Sequence, residues 1–313
     1  MGISRKSLKS IFEIIINNDG ISRKALGEIL GISNVAIGYA VEALISLSLI
    51  KSSKGTSEPN TKGRRTDLLL PNKKHLCLLI NVCDGFVSFS LSPLSKAPAS
   101  SYSLPYIYTL NFSDNFAIAL SSIKETLKEL CIEPSFIAVA FPGDVCKATG
   151  RLINTRVRDY LGESLTDIME RYGMTPDIII SGAGAADIFC RKPGDIAKRI
   201  MYISIGEQIF GCINREHYEN WGEISVDRSF SLSYSEALKC GCDEDSLTLY
   251  TTRFINTLRS AFAPDEIYVS STVLSTDIFD QIDQVVHINS NPSPIISGLF
   301  EASKDGIFDK HVK

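Results

Sequence analysis

Residues 21–50 read ISRKALGEILGISNVAIGYAVEALISLSLI, a pattern of two short helices joined by a tight turn. Ser22 is placed to cap the first helix, whose apolar residues Ala25, Leu26, Ile29 and Leu30 recur at helical spacing. Gly31 supplies the turn, and Ser33 caps a second helix with Ile37, Ala40, Val41 and Leu44 turned inward. Gly27 stands four residues before Gly31, where two crossing helices approach closely only if a side chain is tiny. Ile37, ten residues after Gly27, plugs the angle between them. These offsets together predict a DNA-reading helix-turn-helix.

Charge supports that expectation. Residues 1–74 hold 12 Lys and Arg against 6 Asp and Glu, a net of +6, whereas residues 75–313 hold 20 against 30, a net of −10. A basic head on an acidic body suits a phosphate-binding module joined to a different domain. No apolar run approaches the roughly 20 residues needed to cross a bilayer. The N-terminus lacks a signal-peptide pattern, so a cytoplasmic protein without membrane contact is expected. Most of the eight cysteines sit in apolar segments, as buried reduced thiols do; only Cys240 and Cys242 form a close pair.

An opening helix is predicted over Ser7–Asn17, ended by Asp19-Gly20. After the helix pair, β-like segments at Leu49–Ser52 and Thr66–Leu70 flank the polar run KSSKGTSEPNTKGRR, the pattern of a wing. Pro71-Asn72 marks the boundary between a winged helix-turn-helix over residues 1–72 and a body over 73–313. In the body, strands alternate with helices. His75–Leu91 reads as a strand pair turning at Asp84-Gly85, with further strands at Phe136–Phe141, Asp177–Ile180 and Met201–Ile205. Helices are predicted over Asn115–Leu130, Leu165–Tyr172, Leu247–Phe262 and Pro292–Ala302. The fold class is α/β, and two lobes are expected.

In this order the chain resembles the ROK family (repressors, open reading frames and kinases), specifically its transcriptional-regulator branch. ISRKALGEILGIS is similar to that branch's helix-turn-helix entry, and GRRTDLLL at Gly63–Leu70 to the stretch leading into its sugar-kinase-like domain. VAFPGDV with TGRLIN at Thr149–Asn154, MYISIG, GEI at Gly222–Ile224 and CGC at Cys240–Cys242 match later landmarks. The resemblance implies a two-lobed body of the sugar-kinase and actin-like ATPase type.

The departures bear on activity. Active members open the ATP lobe with D-x-G-x-T; here INVCDGF puts Asn81 at the aspartate and Cys83 at the glycine. Where the family carries its catalytic base, ISGAGAA at Ile180–Ala186 offers Gly182, which cannot accept a proton. The glycine-rich phosphate turn has become GEQIFGC at Gly206–Cys212, with Glu207 set where phosphate would need backbone N–H groups. Ser270-Ser271 replaces a later double glycine. The zinc element is broken too: Val226 occupies the histidine position, and Ser246 or Leu247 the third cysteine, leaving Cys240 and Cys242 with His217 and Asp227 as the remaining conceivable ligands. The expectation is a body with no catalytic residues, no cofactor and no metal. It is either a degenerate sensor of a sugar or sugar phosphate, for which the resemblance implies Asn154 and Glu223, or a structural, dimerising domain.

On the DNA side, related regulators begin the recognition helix S-x-x-T-V-S-R, where this chain has SNVAIGY. Ser33, Asn34 and Tyr39 are the candidate readers: Asn34 for an adenine edge, Tyr39 for phosphate or sugar. Arg23, Lys24, Arg5 and Lys6 flank the hairpin as candidate phosphate contacts, and Arg64 and Arg65 of the wing as minor-groove contacts. The expected protein is a homodimeric or higher-order regulator of double-stranded DNA. A sugar kinase with a fused DNA-binding head, and an interaction module that no longer reads DNA, are its rivals.

Overall fold

The computed structural model describes residues 4–18, 20–54, 67–83, 86–146, 148–153, 155, 157, 159–191, 195–205, 209–214, 216–219, 241, 243–271, 276–280, 282, 285–288 and 293–312. The head opens with α1 (Arg5–Ile16), capped by Ser4, whose hydroxyl accepts from the Ser7 N–H. A two-residue strand, β1 (Ile21–Ser22), leads into α2 (Arg23–Leu30) and α3 (Asn34–Ser46). β2 (Ile50–Lys54) and β3 (Asp67–Pro71) pair antiparallel, and β1 adds to β3, giving the order β1-β3-β2. The strands lie within two residues of the predicted wing segments; β1 was not anticipated, because two residues carry no readable alternation.

Two five-stranded sheets form the body. The first contains β4 (Leu76–Cys83), β5 (Phe86–Pro93), β6 (Tyr102–Leu104), β7 (Phe136–Phe141) and β10 (Ile178–Ser181), in the order β10-β7-β4-β5-β6. The second contains β11 (Ile200–Ile205), β12 (Ile209–Ile213), β13 (Glu216–Glu219), β14 (Glu266–Ser271) and β15 (Val285–His287), in the order β13-β12-β11-β14-β15. Each sheet has a meander of three antiparallel strands followed by two strands parallel to the first, so one topology occurs twice. A small hairpin of β8 (Asp144–Val145) and β9 (Leu152–Ile153) follows β7. The two sheets correspond to the expected two lobes.

The helices sort by sheet face. β4 alternates: Leu78, Ile80 and Val82 face α4 (Phe112–Glu129) and α5 (Leu165–Arg171), while Cys77 and Leu79 face the opposite core. That opposite core is built around α6 (Gly182–Cys190) and α9 (Pro294–His311). α6 packs against strands of both sheets, and α9 packs on α6, β4 and β7. α7 (Glu244–Phe262) covers the far side of the second sheet, through Phe254, Ile255 and Leu258, and α8 (Thr276–Asp280) lies beside β15. Where α9 crosses α6, a side chain at Gly298 would strike the backbone of Ala185. Among the described residues no single helix is long and apolar enough to cross a membrane.

Head and body share one core. Leu8, Ile11, Phe12 and Ile15 of α1 are continuous with Phe300, Ile307 and Phe308 of α9, and the Phe12 and Phe308 ring centroids lie 5.5 Å apart. Around that contact Arg5 pairs with Asp309 at 2.7 Å and Lys9 with Asp305 at 2.9 Å, and Lys304 donates to the Asn17 side chain at 2.9 Å. The expected boundary at Pro71-Asn72 is also tied down: the Ser48 carbonyl accepts from the Asn72 amide at 2.8 Å and lies 2.9 Å from His75 Nε2.

Candidate functional site

Local chemistry fixes the helix pair. The Ser22 hydroxyl accepts from the Ala25 N–H at 3.1 Å and the Ser33 hydroxyl from the Ala36 N–H at 3.3 Å, each satisfying a donor that the first turn leaves open. Gly31 ends α2 in the left-handed region at φ 64°, where a side chain would be strained. The axes of α2 and α3 turn by 117° across the three intervening residues, within the roughly 90–120° range of helix-turn-helix pairs. A Cβ on Gly27 would lie 3.1 Å from the Ile32 carbonyl and 3.3 Å from Asn34 Oδ1, and Ile37 is fully buried at the crossing.

The outward strip of α3 carries Asn34, Val35, Gly38, Tyr39 and Glu42. Val35 is 68 % and Tyr39 69 % exposed, and a Cβ on Gly38 would meet nothing within 4 Å. Of the expected readers, Ser33 spends its hydroxyl on the cap, the Asn34 side-chain oxygen lies against α2, and Tyr39 stands free in solvent. Lys24 points outward, with only a 3.8 Å approach to Glu28. Arg23 instead bridges to Glu42 of α3 at 2.7 Å, which braces the helix pair and screens its charge; its Nε is buried with no partner. Arg5 faces Asp309 of the body, while Lys6 is exposed. Arg64 and Arg65 lie outside the described residues. Val35 escaped notice because an apolar residue outside the inward set reads as a spare core position. The available signal was its phase, three residues from Gly38 and four from Tyr39 on one helical face.

In the body, Asn81 is buried near the end of β4, its oxygen accepting from the Cys83 thiol at 3.4 Å. The Ser181 hydroxyl caps α6 by accepting from the Gly184 N–H, and buried Gly182 begins the helix with no side chain. Ile209–Ile213 is a strand that pairs antiparallel with Ile200–Ile205, Ile205 facing Ile209, while residues 206–208 lie outside the described residues. The Cys212 thiol donates to the Ala183 carbonyl at 3.6 Å. Ser270 is buried, its hydroxyl 2.9 Å from that of Tyr202. Burial pushes the Tyr202 phenol up and holds the Cys212 thiol well above its ordinary value, as expected of packed and unionised groups. Asn81 and Gly182, the residues at the positions of the family's aspartates, carry no carboxylate, the group a general base or Mg-bound phosphate requires there.

Ser246 is likewise committed: its N–H and hydroxyl bond to the Asp243 carboxylate at the start of α7. Among the described residues no three His, Cys, Asp or Glu side chains are grouped to hold a metal ion. Asn154, Glu207, Glu223, Val226, Asp227, Cys240 and Cys242 lie outside the described residues, as does the His217 side chain.

No family model matches the chain, and no curated protein does. Among solved structures, a ROK family transcriptional regulator, a homologue of the E. coli MLC protein, superposes with a TM-score of 0.63 at 14% identity and covers 98% of both chains. An inorganic polyphosphate/ATP-glucomannokinase from Arthrobacter sp. strain KM superposes with a TM-score of 0.52 at 14% identity, over 73% of this chain and 98% of that one. A candidate N-acetylmannosamine kinase from Listeria monocytogenes superposes with a TM-score of 0.52 at 14% identity, over 76% of this chain and 100% of that one. The chain therefore has the mixed α/β fold of ROK family proteins, a fold common to a regulator and to sugar kinases.

Proposed function

We propose that this chain is a DNA-binding transcriptional regulator, in which a winged helix-turn-helix over residues 1–72 reads double-stranded DNA. Residues 73–313 serve as a non-catalytic, ROK-like effector or dimerisation domain. One observation carries the reading. The kinase structures are covered almost completely yet account for about three quarters of this chain, whereas the regulator accounts for 98% of it. What the kinases lack is of the size of the head, whose helix pair crosses at an angle suited to the major groove.

The kinase rival is disfavoured by chemistry. Gly182 stands where a base would act, Asn81 is an amide where metal-facing charge is needed, and the glycine-rich phosphate sequence is replaced by GEQIFGC over Gly206–Cys212. Removing a general base alone lowers rate by roughly 10²–10⁴. Whether the body senses a sugar or sugar phosphate through Asn154 and Glu223, or only dimerises, is decided by ligand-dependent change in DNA affinity.

The reading is tested by genomic footprinting, followed by affinity measurements across salt concentrations. Lys24→Ala should weaken binding to all sequences and lower the magnitude of the salt slope by about 1. Arg23→Ala should do less to the slope than Lys24→Ala, because its charge is already shared with Glu42. Absence of any footprint, with no salt-dependent affinity for duplex DNA, would defeat the proposal.

A further inference from the structure

The outward face of α3 lacks what base-reading helices commonly present. It carries no cation, and its acid, Glu42, is paired with Arg23. Its middle is apolar and bare: Val35 is 68 % exposed, Gly38 leaves open space, and Tyr39 one turn on is 69 % exposed. Val35 is not part of the core of the head, which is completed by Ile37, Ala40, Val41 and Leu44 on the opposite side. An exposed branched apolar side chain there is stabilised when it meets an apolar group on whatever the helix enters. Within the DNA major groove the one apolar group that base edges present is the C5-methyl of thymine. Charge selects DNA over a protein as the occupant, since the face belongs to a unit, residues 1–72, with 10 Lys and Arg against 6 Asp and Glu, and the preceding helix α2 carries exposed Lys24.

We propose that Val35 is a specificity-determining residue that recognises the C5-methyl group of thymine in the major groove, with side-chain-free Gly38 letting the helix seat deeply enough for contact. The proposal rests on the DNA-binding reading above and adds the chemistry of readout. Specificity is carried by methyl contact rather than by an arginine fork on guanine. The operator should accordingly hold a thymine facing Val35 in each half-site.

The test uses the full-length protein and duplex DNA selected by it from a randomised pool. Each thymine is replaced in turn by uracil, which removes the methyl and leaves every hydrogen-bonding group in place. At one thymine per half-site, uracil should weaken binding about fourfold, the ratio that burying one methyl-sized group carries. In Val35→Ala that penalty should fall towards unity, while penalties at other positions persist. Val35→Ala should fold normally, being an exposed substitution towards higher helix propensity, and its circular dichroism checks this. Uracil probes that all bind like their thymine parents would overturn the proposal and leave the DNA-binding reading standing. So would a Val35→Ala protein that keeps every penalty, or one that binds DNA without sequence preference. Failure to select or bind any DNA would overturn both.

Discussion

Gly298→Ala should be among the most damaging single-methyl changes this chain can suffer. A Cβ built at Gly298 would lie 1.8 Å from the carbonyl oxygen of Ala185 and 2.6 Å from its carbonyl carbon. Real Cβ contacts essentially never fall below 3.0 Å, so α9 must retreat from α6 by at least about 1.2 Å. The obstacle is helix backbone, which has no rotamer to swing aside. Retreat also opens the contacts of Ile295, Ile296 and Leu299, all buried, and a gap of 0.5–1 Å already forfeits about a quarter to a half of each dispersion contact. Overpacking and lost contact together cost about 3–5 kcal/mol, and the higher helix propensity of alanine returns about 1 kcal/mol. The net loss is about 2–4 kcal/mol, which moves a urea midpoint by about 1 M for a slope of about 2–3 kcal/mol/M. Gly306→Ala on the same helix is the control. Its Cβ would meet Phe136 Cζ at 2.5 Å and Ile178 Cδ1 at 2.6 Å, the ends of side chains that can shift. Its cost should stay within about 1 kcal/mol of the native chain after the same propensity gain. Urea unfolding of the three proteins, followed by circular dichroism, decides the matter. A Gly298→Ala midpoint at or above the native one, or below-native stability in Gly306→Ala alone, would refute the argument from backbone collision.

Other consequences are open to direct measurement. Burial holds the His75 imidazole below its ordinary value, the charges of His311 and Lys310 add to the effect, and the Ser48 carbonyl opposes it. The unfolded chain therefore gains this proton first, and stability present above about pH 6.5 is lost as the pH falls towards the folded value. Thermal midpoints at about pH 7.5 and 5.5 should differ less in His75→Gln than in the native chain; equal pH dependence would absolve His75. The Cys146 thiol is lowered by the Thr149 hydroxyl and by the backbone N–H groups of Ala148 and Thr149, while burial pushes Cys77 and Cys190 up to about 12. Mass-spectrometric mapping should find Cys146 alkylated well before Cys77, Cys190 or Cys212 in the native protein, and Thr149→Val should slow it. Calorimetry with Mg-ATP should show no micromolar binding, and Gly182→Asp should restore no sugar phosphorylation, because Asn81 and the sequence GEQIFGC over Gly206–Cys212 still depart from the kinase pattern. Turnover by the unmodified chain would reopen the kinase reading.

The helix pair was legible because short-range chemistry builds it. Ser22, Gly31 and Ser33 act on backbone groups within three residues of themselves, so spacing alone reveals them. Strands buried on both faces, such as Phe136–Phe141, were legible as unbroken apolar runs. The helix α6 was not: Gly182, Ala183, Ala185, Ala186, Asp187 and Cys190 are all buried, and a helix packed on most sides shows no amphipathic stripe. The last helix was expected to stop at Ala302, where polar residues and Gly306 accumulate. It runs on to His311 because Ile307 and Phe308 are buried against residues far away in sequence. The candidate interface divides the same way. Exposure of Tyr39 and Lys24 follows from helical phase, whereas the bridge from Arg23 to Glu42 spans 19 residues and exists only once α2 and α3 have crossed.

That division extends to the junction between head and body, where two kinds of contact coincide. The ion pair of Arg5 with Asp309 is more than half exposed on both sides, and pairs of that kind contribute about 0–1 kcal/mol. Phe12 beneath it is 1 % exposed and Phe308 fully buried, and truncating a buried phenylalanine costs about 3–5 kcal/mol. The apolar contact therefore holds the head in place, and the charges around it fix orientation more than strength. Salt should leave the docking largely intact while weakening the proposed phosphate contacts, because screening acts on exposed charge and scarcely on packed rings. A helix-turn-helix fastened through a core shared with α9 can turn relative to the body only if α1 and α9 lose that packing. Interiors packed to crystal density resist gradual deformation.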